Sequence, residues 1–87
     1  MIFDHRTSAS FWECYNQLPE SLQQRADKQF VLLSEAPNHP SIQLKPVGDF
    51  WSARVSDAYR ALALREENVF TWFWIGPHDE YARILMG

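Results

Sequence analysis

Eighty-seven residues, 46% apolar and 15% aromatic, make one small domain with a dense core, and 22% charge with only three glycines argues against disorder. A net charge of −3 excludes the overall basic excess that drives general nucleic-acid binding, so any contact with phosphate must come from a local cluster of cations. A lone cysteine, Cys14, excludes an internal disulfide, His5, His39 and His78 are too scattered for zinc spacing, and the start of the chain lacks a basic-then-apolar leader, so a reducing, cytoplasmic setting is expected.

In chain order, residues 2–5 (IFDH) read as a short edge strand or an extended arm. Thr7 or Ser8 can cap a helix whose Phe11, Trp12, Tyr15 and Leu18 recur at helical spacing. Pro19 suits the first turn of a second helix, with Glu20 favourable at its positive end. There Leu22, Ala26, Phe30 and Leu33 form one apolar stripe, and APNHP (36–40) stops the helix.

After Pro40 the period falls to two. SIQLKPV (41–47) alternates as a strand, with Pro46 placing its end at an edge. FWSARVS (50–56) sets Trp51, Ala53 and Val55 on one face and Ser52, Arg54 and Ser56 on the other. YRALALR (59–65) follows, then a turn at EEN (66–68). VFTWFWI (69–75) is apolar on both faces, as a central strand would be, and falls far short of the ~20 residues of a membrane span. Gly76 and Pro77 end it, and HDEYARILM (78–86) reads as a loop leading to a short terminal helix. The expected fold is α+β: an N-terminal antiparallel helix pair on a four-stranded, mainly antiparallel sheet with a short C-terminal helix, one domain over residues 1–87.

Three stretches carry a family likeness: LPESLQQRADKQFVLL (18–33), PNHPSIQLKPVGDFWSARVSDAYRALA (37–63) and FWIGPHDEYARIL (73–85). In this order they resemble the RelE/ParE superfamily of bacterial type II toxins over essentially the whole chain. The resemblance implies either of two activities. RelE-like and HigB-like members enter the ribosome and cleave mRNA, whereas ParE-like members inhibit DNA gyrase and have no nuclease activity. It also implies a cognate antitoxin that wraps the toxin, and neither a cofactor nor a metal. An inert descendant of such a toxin is the third reading.

In the ribonuclease branch the ribose 2′-OH attacks the adjacent phosphate, leaving a cyclic phosphate and a 5′-OH. That chemistry asks for a base, cations on the phosphate oxygens and a proton donor for the leaving oxygen. Carried onto this sequence, the likeness implies His78 as acid or base, Arg60 and Arg54 as phosphate-binding groups, and Tyr81 as a proton donor or a ring that stacks on a base. Lys45 and Arg83 would help bind RNA.

Each has an ordinary structural role open to it as well. Arg54 and Arg60 can pair with Asp57 and Asp49, Lys45 can be an edge-strand lysine, Tyr81 can pack on Trp72 or Trp74, and His78 can steady its loop beside Asp79. Arg54 and Arg60 share a face only if the turn between them has the right parity. Two features depart from the ribosome-directed pattern: Asp79 and Glu80 sit beside the supposed phosphate site, and lysine-rich stretches are missing. The gyrase reading shifts the weight to Arg6, Arg25 and Lys28 of the helical half. Trp51, Trp72, Phe73 and Trp74 read first as core, with any exposed aromatic patch left for an antitoxin.

Overall fold

The computed structural model describes residues 3–86, and eight elements build that stretch. They are β1 (Asp4–Thr7), α1 (Ala9–Asn16), α2 (Glu20–Glu35), β2 (Lys45–Val47), β3 (Phe50–Ser56), β4 (Tyr59–Glu66), β5 (Val69–Pro77) and α3 (His78–Met86). Of the two capping candidates Ser8 is the one used: its hydroxyl accepts the Phe11 N–H at 3.4 Å and satisfies a free donor of the first turn. Pro19 stands just ahead of α2, which opens on Glu20.

The sheet has five strands, in the order β1-β5-β4-β3-β2, where the sequence leads one to expect four. The extra strand comes from the segment read as an edge strand or arm, of which residue 2 lies outside the described residues. Asp4–Thr7 pairs in parallel with Val69–Trp72 of β5, so the sheet is mixed. Its ends are fixed by Asp4 N–H to the Asn68 carbonyl at 2.8 Å and Ser8 N–H to the Trp72 carbonyl at 3.0 Å. The physical reason lies in β5: Phe70 and Trp72 are buried, and a strand that apolar would be an aggregation-prone edge without a neighbour. β2 to β5 form the expected antiparallel meander.

Three further expectations need correction. The strand expected over 41–47 is only Lys45–Val47, because Gln43 adopts a left-handed φ of +49° and breaks the ladder. Ile42 nevertheless stays buried beside β3, its carbonyl accepting the Arg54 N–H at 2.6 Å. No loop precedes the terminal helix: β5 runs to Pro77 and α3 starts at His78, with Asp79 and Glu80 in its first turn, where the helix dipole favours them. Finally, the two N-terminal helices pack on the sheet rather than along each other, α1 over β5 and α2 over β3. What ties them is the Tyr15 hydroxyl donating to Asp27 at 2.8 Å and the Gln23 amide donating to the Tyr15 carbonyl at 3.0 Å.

Alternation along the strands sorts the two faces. Ala53, Val55, Ala61, Ala63, Phe70, Trp72 and Ile75 face the helix pair and join Leu33 and Ile42 in the core. The other face carries Ser52 and Leu62, both buried although they point away from α1 and α2. They are covered by α3, whose buried Tyr81 reaches Ser52. Full burial of a side chain such as Leu62 or Phe70 stabilises by about 1.5–3 kcal/mol. The second face is thus half closed by α3, and the end of the sheet nearest the β3–β4 turn carries the polar residues. Among the described residues, no helix is long and apolar enough to cross a membrane.

Candidate functional site

The tight turn of the β3–β4 hairpin gathers three of the candidate residues. Ser56 pairs with Tyr59, and carrying that register back along the strands would set Arg54 opposite Ala61. A bulge between Arg54 and Ser56 shifts the pairing by one residue and brings Arg54 directly opposite Arg60. Bulges re-aim side chains in this way. The parity condition that the sequence leaves open is therefore met, and the two arginines share the face of the sheet on which α3 lies.

Two like charges placed opposite each other repel, so each guanidinium needs an anion or a set of carbonyls. Arg54 forms an ion pair with Asp57 in the turn. Arg60 turns its Nη1 to the turn's carbonyls, donating to Ser56 at 2.5 Å, Tyr59 at 2.9 Å and Asp57 at 3.3 Å. The backbone N–H of His78 donates to the Ala58 carbonyl of the same turn at 2.8 Å, which sets the start of α3 against it.

Lys45 is exposed on β2 and pairs with Ser52, two residues before Arg54, so it stands on the same face. Tyr81 is only 8% exposed, and its hydroxyl donates to the buried Ser52 Oγ at 3.2 Å. Its ring lies 5.2 Å from that of His78, tilted by 43°, while the imidazole itself is exposed. Arg83, also exposed, donates its Nε–H back to the Asp79 carbonyl at 3.4 Å along its own helix.

The structure therefore brings Lys45, Arg54, Arg60 and Tyr81 to one face, with His78 at its rim where α3 begins. Arg83 stays on α3, tied to that helix's own first turn. Chemically this is a patch able to neutralise a phosphate, with an imidazole nearby to move a proton.

Sequence reasoning misses several residues that the structure makes prominent. Ser52 is one, since a serine on a polar-looking strand face carries no sign that a tyrosine will bury it. His5 is another. It stacks on Phe70 at 5.5 Å, and its Nδ1 accepts the Trp72 indole N–H at 3.1 Å. Burial holds its imidazole below the ordinary value, with Asp4 pulling weakly the other way. The Tyr15 hydroxyl is shifted up, chiefly by its hydrogen bond to Asp27. Neither group belongs to the patch on the α3 face.

No family model and no curated protein sequence matches this chain. Solved structures do match, over nearly its whole length. YafQ of Escherichia coli BL21(DE3) superposes with a TM-score of 0.72 at 11% identity, covering 91% of this chain and 97% of that one. The toxin in the RelB–RelE antitoxin–toxin complex of Methanococcus jannaschii gives 0.71 at 7% identity, covering 91% and 96%. The toxin–antitoxin complex RelBE2 of Mycobacterium tuberculosis gives 0.64 at 17% identity, covering 88% and 99%. The chain thus has the fold of the RelE and YafQ toxins.

Proposed function

We propose that this chain is the toxin of a type II toxin–antitoxin pair and acts as a ribosome-dependent mRNA endoribonuclease. The observation that carries the reading is the bulge that sets Arg54 opposite Arg60 on the face shared with Lys45, with His78 at the rim. The shared fold with RelE and YafQ supports the same reading.

In this mechanism the 2′-oxygen bonds to phosphorus as its proton passes to a base. The bond from phosphorus to the 5′-oxygen breaks, and that oxygen takes up a proton, leaving a 2′,3′-cyclic phosphate and a 5′-OH. Arg60 and Arg54 neutralise the charge that develops on the non-bridging oxygens. His78, exposed at the rim, moves the proton. Tyr81 is anchored to Ser52 and serves as a positioning residue whose ring steadies the His78 imidazole. Lys45 and Arg83 add cations for the strand on either side.

An antitoxin is the proposed partner, as in the toxin–antitoxin complexes that share this fold. Apolar side chains on the outer faces of the helices, Trp12 and Val31 among them, give it a surface to cover. One observation favours the ParE-like reading instead: both arginines already spend donors on Asp57 and on turn carbonyls.

Inducible expression in bacteria, beside an Arg60→Ala, His78→Ala double variant, separates the readings. Growth arrest with cleaved mRNA, lost in the double variant, is the expected result. Arrest with intact mRNA and filamenting cells would turn the assignment to gyrase, and no arrest from folded protein would leave an inert descendant.

A further inference from the structure

A cleft opens beside the arginine patch, where the end of β5 meets the start of α3 and the end of α1. It has a volume of about 190 Å³, is open to solvent, and is lined by Tyr59, Trp74, Gly76, Pro77 and Glu80 together with Cys14 and its neighbours. Two of these residues, Gly76 and Pro77, are the cross-strand partners of Arg60 and Tyr59, so the cleft begins one backbone row from the Arg60 side chain.

Its wall is built around one aromatic ring. The six-membered ring of the Trp74 indole lies so close over Gly76 that a Cβ there would stand 2.6 Å from Cζ2. The strand therefore needs glycine at 76 to seat this indole. Trp74 is only half-buried, unlike Trp72 in the core. β1 pairs with β5 no further than Trp72, and the Ser10 hydroxyl donates to the Phe73 carbonyl at 2.8 Å, so β1 flanks no residue of β5 beyond Trp72. Glu80 lies on the cleft in the first turn of α3, exposed, and no cation pairs with it among the described residues.

An aromatic face and a free carboxylate next to a phosphate-binding arginine have one chemistry in common. A nucleobase stacks on an indole whatever its identity. A carboxylate only accepts hydrogen bonds, so it selects bases that present N–H groups on the pairing edge and repels edges made of carbonyl oxygens. Guanine offers two adjacent N–H donors, one for each carboxylate oxygen, whereas uracil offers one N–H flanked by two carbonyls.

We propose that this cleft is a base-binding subsite, in which Trp74 stacks on a base next to the phosphate held at Arg60 and Glu80 favours guanine over uracil. The proposal rests on the ribonuclease reading above and assigns that site its base preference. It also gives a use to an acidic residue that is otherwise out of place beside a phosphate site, because the strand turns its base, not its phosphate, toward Glu80.

The test is to induce the chain in bacteria and map the ends of the mRNA fragments for the wild type, Glu80→Gln, Trp74→Leu and Trp74→Phe. The readout for Glu80→Gln is the ratio of cuts beside guanine to cuts beside uracil, which overall activity does not enter. That ratio is expected to fall by about fivefold or more, the discrimination a bidentate base contact supplies. Trp74→Leu should lower cutting by between roughly five- and a hundredfold at all sites, the worth of one stacked base, and Trp74→Phe should retain most of it. A wild type that cuts mRNA while Glu80→Gln leaves the base ratio unchanged overturns the subsite and leaves the ribonuclease reading standing. A folded wild type that cuts no mRNA overturns the ribonuclease reading itself, and the subsite with it.

Discussion

The indole N–H of Trp72 donates to Nδ1 of His5 at 3.1 Å, which requires that nitrogen to be unprotonated and places the ring proton on Nε2. The imidazole is stacked on Phe70 and lies edge-on to Phe30, so edge strand β1 is fixed to β5 by a neutral histidine among aromatic rings. A second proton would put N–H against N–H and break the contact.

The consequence is a loss of stability in mild acid. Burial holds the His5 imidazole below 6.5, its usual value in the unfolded chain. As the pH falls past about 6.5 the unfolded state takes up its proton first, so stability drops until the folded state's lower value is passed. The contribution is complete above that window. Urea unfolding at pH 7.5 and pH 5 should show a lower midpoint in acid. In His5→Phe the shift should shrink, while the pH 7.5 midpoint itself falls because the Trp72 N–H loses its acceptor, a cost of about 1–3 kcal/mol.

Under the proposed ribonuclease reading, Asp57 would compete with RNA for Arg54. Its side chain is 94% exposed, so the ion pair stabilises by no more than about 1 kcal/mol. Asp57→Asn should barely move the thermal midpoint yet free a guanidinium for phosphate. Binding of a short single-stranded RNA should tighten, and its salt dependence should steepen by about 0.7 in the log–log slope, the value of one added phosphate contact. An unchanged slope would mean that Arg54 belongs to the turn alone.

Much of this architecture is legible in the residue pattern. The Ser8 cap, the α2 stripe, the meander from β3 to β5 and the two-faced apolarity of VFTWFWI all follow from local chemistry and period. What is not legible depends on distant partners. Parallel pairing of β1 with β5 joins residues more than sixty positions apart, and IFDH alone does not say which strand it will flank. The left-handed Gln43 falls at a residue type with no preference for that conformation, so the loss of half a strand carries no local sign. The site is half legible for the same reason. The family likeness marks Arg54, Arg60 and His78 as candidates, but whether the arginines meet is decided by a bulge that alternation cannot foresee.

Gly76 has no room for a side chain. In Gly76→Ala the new methyl would meet Cζ2 of Trp74 at 2.6 Å and drive the ring from its seat. Overpacking of this kind costs about 1–3 kcal/mol, so the thermal midpoint should fall by several degrees at least. Removing the ring removes the clash, and the double variant Gly76→Ala, Trp74→Leu should lose less than the sum of the two single losses. Calorimetry on the four proteins of this cycle reads the coupling directly.

Tyr81 separates positioning from proton transfer. Its hydroxyl is spent on Ser52 Oγ, and Ser52 is 2% exposed, so Tyr81→Phe strands a buried hydroxyl at a cost of about 1–3 kcal/mol. Ser52→Ala should cost about as much, because it leaves the buried phenol hydroxyl without its partner. If the ring alone holds His78 in place, Tyr81→Phe loses less cleavage than the roughly hundredfold or more expected when a proton donor is removed, and Tyr81→Ala loses far more. A fall of that full size in a Tyr81→Phe protein shown by circular dichroism to be folded would make the phenol itself the acid that protonates the leaving 5′-oxygen.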